Sequence, residues 1–479
     1  KTSNKSSAFY CRNGITYSYL TSGPFSARLS PGGFIFDVAG SSLFPPDIPL
    51  VLAVLNSTFA AYALKLINPT VNFQVGDLAR LPIPDSSSSD IESLVEQAIV
   101  LSRRDSEDRE TTYEFIAPPM WESGMGNIVS RSTNLATIER ELDGEVYRLY
   151  GISKEDRQAI ELELAHSLPP DDDGPDSTPP DSGAEAKVSG TLNRQELAEL
   201  RISYAFGIIM GRFQIGVEGR LGRGCFSERV NEELRSLVSD DVIVVLDVGR
   251  PRNLANRVEQ ALDLMLGENQ TQDVISEATG GKSLVTYLER DFFKQHVQRY
   301  RKRPVYWLLQ SAKRSYGLYL FHERITKDTL YVIQGSQYLG SKIAQVSAQV
   351  EELHARVQRL PQGRERKQAE KDLDEAGTLL SELEGFAQAL KAVTSATNER
   401  GDAVGWDLEI DDGVLINLAP LFPLMPAWSS EPKKCWESLR KGDYDWSLTA
   451  MRYWPDRVLS KCRMNKSYAI AHGRLDVYG

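Results

Sequence analysis

Residues 286 to 324, TYLERDFFKQHVQRYRKRPVYWLLQSAKRSYGLYLFHER, set a cationic run of Arg299, Arg301, Lys302 and Arg303 between two aromatic pairs, Phe292-Phe293 and Tyr306-Trp307. Two physical readings compete. In one, the run ends an amphipathic helix, its cations facing water while the four rings fill a core. In the other, the clustered Lys and Arg neutralise phosphates, and the rings beside them anchor the segment or stack on exposed bases. The chain as a whole carries a formal net charge of −11. A local reversal of sign is therefore not a by-product of composition, and any nucleic-acid binding must be focused into patches. Lys313 and Arg314, further along the same stretch, extend the set of candidate phosphate contacts.

The rest of the composition bounds the answer. At 479 residues, with 41% hydrophobic and 25% charged residues, the chain is long enough for two to four domains of ordinary globular make-up. No apolar run approaches the roughly 20 residues of a membrane helix. The best candidate, Leu50 to Ile67, is interrupted by Asn56, Ser57, Thr58 and Lys65, so no membrane partner is expected. The opening KTSNKSSAFYCRNG has no initiator Met, no apolar h-region and no cleavage-site pattern, and it reads as if cut from something longer. Cys11, Cys225, Cys435 and Cys462 form no CxxC pair. Neither a zinc knuckle nor a disulfide framework is indicated, and a reducing cytoplasm is the simplest home.

In chain order, residues 8 to 45 alternate β-rich runs (ITYSYL, FSARL, GFIFDV) with turn signals at Asn13-Gly14, Ser22-Gly23-Pro24 and Pro31-Gly32-Gly33, which predicts a small sheet. Pro49 to Asn68 has the apolar density of one buried helix, with Pro at its start and Asn-Pro at its stop. NFQVGDLARLPIP follows as an extended segment. Its Asn72 and Gln74 are residue types that pair bidentately with adenine, although Asn72, Phe73 and Gln74 equally suit a turn against the helix; Arg80 supplies a nearby cation. Residues 89–167 read as helical. LPPDDDGPDSTPPDSGAEAKVSG, 168–190, cannot bury enough apolar surface to offset its ordering entropy and reads as a flexible linker. Its Asp171, Asp172 and Asp173 lack the alternation of a calcium loop. Residues 191–340 are globular again, beginning with a helix that carries an apolar face from Leu197 to Met210. In 341–398, Ile343, Val346, Val350, Leu353, Val357 and Leu360 recur at three and four spacing. After LPQG, Leu373, Ala376, Leu380, Leu383, Ala387 and Leu390 repeat it, which predicts an antiparallel coiled-coil hairpin. Residues 399–479 form a C-terminal extension expected to pack on 191–340. The fold class expected is α+β.

FFKQHVQRYRKRPVYWLLQS followed by LYLFHERITKDTL resembles the C-terminal region of PglX-like adenine-specific DNA methyltransferases of BREX and DISARM phage-defence systems, relatives of type IIG restriction-modification enzymes. GITYSYLTSGPFSARLSPGGFIFDV and NPTVNFQVGDLARLPIP resemble their target recognition domains, in the same order. TNLATIERELDGEVYRLYG resembles the helical spacer that follows, and DLEIDDGVLINLAPL with MNKSYAIAHG resembles their closing phrases. The resemblance implies a small mixed β target-recognition domain over 1–88, truncated at its N-terminus, a helical spacer over 89–167, and a mainly α C-terminal domain. It also implies DNA binding and methyl transfer from S-adenosylmethionine to an adenine amine.

The chemistry needs an Asn or Asp before Pro-Pro-aromatic, so that a flipped adenine is clamped and hydrogen-bonded through its amine. Pro45-Pro46, Pro118-Pro119, Pro169-Pro170 and Pro179-Pro180 follow Phe44, Ala117, Leu168 and Thr178. A glycine-rich cofactor loop is also missing, and LDVGRP offers one Gly only. Neither Pro46-Asp47 nor Pro455-Asp456 has the acidic-x-Lys partner of a metal-dependent nuclease. No catalytic, cofactor or metal residue is therefore assigned. The expectation is a chain that recognises and clamps double-stranded DNA, with S-adenosylmethionine bound by an N-terminal methyltransferase domain or subunit outside it. The rival is a protein-interaction scaffold that binds other phage-defence proteins or a phage inhibitor.

Overall fold

The computed structural model describes residues 7–19, 25–36, 40–70, 72–85, 88–167, 192–239, 243–246 and 253–479. The chain divides into two compact units, residues 1–109 with 119–193 and residues 110–118 with 194–479. The Pro- and Asp-rich stretch 168–190, and LDVGRP apart from Leu246, lie outside the described residues.

In the first unit β1 (Gly14–Tyr17) pairs antiparallel with β2 (Ala27–Ser30) and β3 (Ser42–Leu43), in the order β2-β1-β3. GFIFDV does not supply the third strand over its described residues. The place beside β1 is taken by Ser42–Leu43, and Phe36 turns its ring onto Phe44 (centroids 5.3 Å apart). The apolar run expected as one helix is two, α1 (Ile48–Leu55) and α2 (Thr58–Ile67), bent by 70°. The break has a local cause. Asn56 turns its amide onto β2, accepting from Ala27 N and donating to Ala27 O, both at 2.9 Å, and Ser57 then caps α2 through Ala60 N. No single helix among the described residues is long and apolar enough to cross a membrane. After α3 (Val75–Leu78), α4 (Ser89–Glu107) packs on α1 and on α5 (Gly124–Leu149), and α6 (Lys154–Ser167) follows. Leu50 to Leu55, Ile15, Tyr17, Ile91 and Val146 share one core.

The second unit is built round α7 (Arg194–Ile209), buried along most of its length. α8 (Glu228–Ser236) leads to β4 (Ile243–Val245); α9 (Leu254–Leu266), α10 (Glu268–Thr279), α11 (Leu284–Arg290) and α12 (Phe292–Arg299) precede β5 (Tyr306–Gln310) and β6 (Gly317–Phe321). The sheet is antiparallel in the order β4-β6-β5, and every residue of β5 and β6 is buried, as expected when elements cover both faces. Phe206 of α7 meets Phe292, Tyr306 and Tyr319 at 4.5, 4.8 and 4.9 Å. Gly207 is required beside it, because a Cβ there would lie 2.1 Å from the Phe213 ring. The aromatic pairs of the basic stretch therefore belong to this core.

Beyond α13 (Thr329–Gln334), α14 (Leu339–Arg359) and α15 (Arg364–Thr394) pack as a helical hairpin. Val346 of α14 and Ala376, Leu383 and Leu390 of α15 are buried. Next come α16 (Val414–Leu418), α17 (Ser430–Lys441), α18 (Leu448–Tyr453), α19 (Pro455–Met464) and α20 (Lys466–Ala471), sharing a core of Ile416, Cys435, Leu439, Val458 and Cys462. Asp412 is a helix cap, accepting from Leu448 N and Thr449 N at 2.7 Å each.

A buried polar network holds this unit together. Glu110 is 3% exposed, and its carboxylate accepts from Arg299 Nη1 at 2.8 Å and from Ser203 Oγ at 2.8 and 3.0 Å. Its backbone carbonyl accepts from Arg212 and from the Tyr300 hydroxyl, both at 3.3 Å. Burial opposes the charge on Arg299, but the Glu110 carboxylate beside it prevails and raises its pKa. One turn back, His296 is fully buried; its Nε2 accepts from Val305 N and Tyr306 N at 3.0 and 3.1 Å, which leaves the proton on Nδ1. Burial, with Arg299, Arg212 and His322 nearby, pushes its pKa well below the ordinary imidazole value.

Two outcomes follow for stability. Arg299→Ala strands an uncompensated buried carboxylate and should cost about 3–5 kcal/mol in denaturant unfolding, whereas loss of under about 1 kcal/mol would show the pair to be dispensable. For His296 the unfolded chain, with its ring near the ordinary value of 6.5, binds the extra proton. Its contribution is complete above that pH and is lost on acidification at up to about 1.4 kcal/mol per pH unit. Unfolding midpoints between pH 7.5 and 5.5 should fall more steeply for the wild type than for His296→Gln; parallel profiles would contradict this.

Candidate nucleic-acid interface

Helix α12 ends at the basic run, and the way it ends sorts the cations. Lys302 N donates to Val297 O at 2.8 Å, the six-to-one bond of a Schellman motif, and Arg301 N donates to Gln298 O at 3.0 Å. Arg301 and Lys302 both lie in the left-handed region, φ 49° and 62°, and Pro304 then bars any continuation of the helix. Glycine is the usual residue at the position of Arg301 because it carries no Cβ penalty. A long cation there costs about 1–2 kcal/mol in backbone strain.

Arg299, on the last helical turn, points inward to Glu110 and is consumed by that pair. Arg301, Lys302 and Arg303 are exposed. Lys302 reaches Glu431 at 3.2 Å, an open surface pair of little energetic weight, and Arg301 and Arg303 form no ion pair among the described residues. The rings on either side are buried, with Phe293, Trp307, Tyr306 and Phe292 between 0% and 2% exposed. They fill the core instead of offering a stacking face.

Lys313 and Arg314 lie past the other end of β5, in its turn to β6. Ser311 Oγ, Lys313 N and Ser315 N converge on Glu382 Oε1 of α15 at 2.5, 2.8 and 3.3 Å. Partial burial opposes the charge on Glu382, yet these hydrogen bonds hold its pKa below the ordinary carboxylate value. The turn amides form a small anion nest, already filled by this carboxylate. Arg314 sits at φ 66° and donates to Pro426 O at 3.0 Å, while the Lys313 side chain is exposed. The two basic turns thus flank a strand about 17 Å long, and both reach toward the Pro426 to Glu431 segment.

Asn72, Gln74 and Arg80 belong to the first unit. Phe73 is buried against Phe25 at 5.0 Å, and its N–H donates to Tyr19 O at 2.8 Å. With Phe73 turned inward on extended backbone, its neighbours Asn72 and Gln74 face solvent, as does Arg80. Asn68 clasps this loop, donating to Asn72 O and to Asp77 Oδ2 at 2.7 Å each, and Asp77 Oδ2 also accepts from Gln74 N at 3.0 Å. The backbone bond from Gln74 and the amide of Asn68 hold the Asp77 carboxyl below its ordinary pKa. Sequence reasoning missed Asn68, Asp77, Glu110 and Glu382, each of which acts on a partner distant in sequence or across a loop. No group of three or more His, Cys, Asp or Glu among the described residues is placed to hold a metal ion.

No family model matches the chain. It is 27% identical over 442 residues to "Adenine-specific methyltransferase PglX" of Lacticaseibacillus casei (strain Zhang), a match spanning 87% of this chain and 35% of the relative. It is 25% identical over 452 residues to "Adenine-specific methyltransferase BrxX" of Escherichia coli O9:H4 (strain HS), spanning 85% of this chain and 36% of the relative. The chain therefore spans about a third of the length of the curated relatives it matches. Both alignments run across most of its residues, and the chain is a PglX-like protein.

Proposed function

We propose that this chain recognises and clamps double-stranded DNA as the C-terminal part of a phage-defence adenine-specific methyltransferase. In this reading S-adenosylmethionine is bound, and the methyl group transferred, by a domain or subunit outside these residues. The observation that carries it is the alignment of most of this chain to about a third of two adenine-specific methyltransferases. The Arg301–Arg303 turn adds physical support. It presents three exposed cations in an acidic chain, with Arg301 held where glycine would be less strained. A long cation kept at such a cost points to a use outside the fold. Arg301, Lys302 and Arg303, with Lys313, would neutralise phosphates, and Arg314 would position its turn. Asn72 and Gln74, held on a clasped loop, would meet base edges, with Arg80 on the adjoining backbone.

A second reading, docking of another defence protein, draws on α15. Gly377 and Gly385 lie inside a helix, where each costs about 1 kcal/mol relative to Ala. A Cβ at either would meet nothing within 4 Å. Both line a groove of about 850 Å³ with Leu373, Phe386 and Pro423.

Salt dependence separates the readings, since a protein-only scaffold shows almost none with duplex DNA. Arg301→Gln with Lys302→Gln should weaken binding of a 30-base-pair duplex, a length of about three helical turns, and flatten the plot of log affinity against log salt by about 2 units. An unchanged slope would return this turn to a purely structural role. Arg301→Gly should weaken the same binding while raising unfolding stability by about 1 kcal/mol, because the left-handed position no longer carries a Cβ.

A further inference from the structure

Residues 430–441, SEPKKCWESLRK, form α17, and the helix divides cleanly. Pro432, Cys435 and Leu439 are buried on one face. At 100° per residue the opposite face carries Lys433, Lys434, Glu437, Arg440 and Lys441, all exposed. Four cations to one carboxylate is a marked bias in a chain of net charge −11. None of the four forms an ion pair among the described residues, whereas Arg452, Arg457 and Lys461 nearby all do.

The fold itself does not account for these charges. Lys433 and Lys434 lie near the N-terminal end of the helix, where the macrodipole disfavours a cation. Arg440 and Lys441 lie at the C-terminal end, where a cation is normally useful, but the carbonyls there are already held from α19. Arg457 donates to Leu439 O and Arg440 O at 2.7 Å each, and Lys461 donates to Gly442 O at 2.6 Å. The same two cations close on the fully buried Asp445 carboxylate at 2.8 Å each. The helix end is thus fixed without the side chains of Arg440 and Lys441, which remain in solvent.

The face also continues the Arg301–Arg303 turn. Lys302 is joined to Glu431, on the first turn of α17, and Lys434 stands one helical turn beyond Glu431. From Lys433 to Lys441 the axis rises about 12 Å, the length over which one strand of a duplex presents three to four phosphates. We propose that α17 is a phosphate track for double-stranded DNA, prolonging the contact made by the 301–303 turn along the sugar-phosphate backbone. The assignment rests on the DNA-binding reading above and adds to it a surface of defined residues. It is a positioning surface without sequence preference, since Lys and Arg reaching backbone oxygens carry no base information.

The test is duplex affinity measured from 50 to 200 mM salt with the full chain and a labelled 30-base-pair duplex of arbitrary sequence, about three helical turns long. The combined substitution Lys433→Gln, Lys434→Gln, Arg440→Gln and Lys441→Gln should flatten the log–log slope by 3 to 4 units, at about 0.9 per lost contact. Glu437→Gln, which removes the one like charge on the track, should tighten binding severalfold and cannot be explained by misfolding. Arg356→Gln, Arg364→Gln, Lys367→Gln and Lys391→Gln together make the same change of net charge on the helical hairpin and should leave the slope unaltered. No salt-dependent binding by the wild type would overturn the DNA reading as a whole. Wild-type binding with an unchanged slope in the α17 variant, or equal flattening by the hairpin variant, would overturn this inference alone. Binding of poly-glutamate as tightly as the duplex would assign the face to an acidic protein and overturn the duplex assignment.

Discussion

A single buried ion pair, Arg299 with Glu110, governs how the basic stretch can be used. Two charges removed from water are tolerable only where hydrogen bonds complete the surroundings. Here Ser203 donates to the carboxylate, and Arg212 and Tyr300 donate to the same residue's backbone carbonyl. Glu110 opens a short segment, residues 110–118, that belongs to the compact unit of Arg299 although almost two hundred residues separate them in sequence. The pair therefore serves the second unit's core and sets the inward face of α12. Once Arg299 and His296 are turned inward, the Schellman end rotates Arg301, Lys302 and Arg303 outward.

The same division between internal and external charge recurs along the unit. Glu382 fills the amide nest of the β5–β6 turn, Asp412 caps α18, and Asp445 gathers Arg457 and Lys461 at the end of α17. Each of these acids is spent on backbone or on a neighbouring cation inside the fold. The cations of the 301–303 turn and of the outer face of α17 have almost no such partner. Charge in this protein is consequently sorted by position far more than its overall balance suggests, and the sorting leaves the 301–303 turn and the outer face of α17 locally cationic.

In the first unit the governing device is an amide clasp instead of an ion pair. Phe73 anchors its loop in the core, and Asn68 ties the loop's two ends by donating to Asn72 O and to Asp77. With Phe73 turned inward, the clasp leaves the side chains of Asn72 and Gln74 in solvent. The break between α1 and α2 serves the same unit, since Asn56 substitutes its side-chain amide for a strand partner at Ala27.

Much of this was legible in the amino-acid order. Composition and periodicity indicated an α+β chain, the three-four spacing through Val346 and Leu383 marked residues that are buried in α14 and α15, and the wording of the basic stretch pointed to PglX-like proteins. The paired cations of EPKKCWESLRK, seven residues apart, drew no reading from the sequence, which gave no hint that α19 already holds the helix end. GFIFDV carried strand propensity without a vacancy beside β1, and Asn56 stopped a helix through a strand partner that no local pattern reveals. Local order thus determined which segments are helical, apolar or basic, because those properties depend on neighbours within a few residues. Only the tertiary structure decided which cations are spent and which remain available, because that depends on whether a carboxylate distant in sequence is brought within hydrogen-bonding reach.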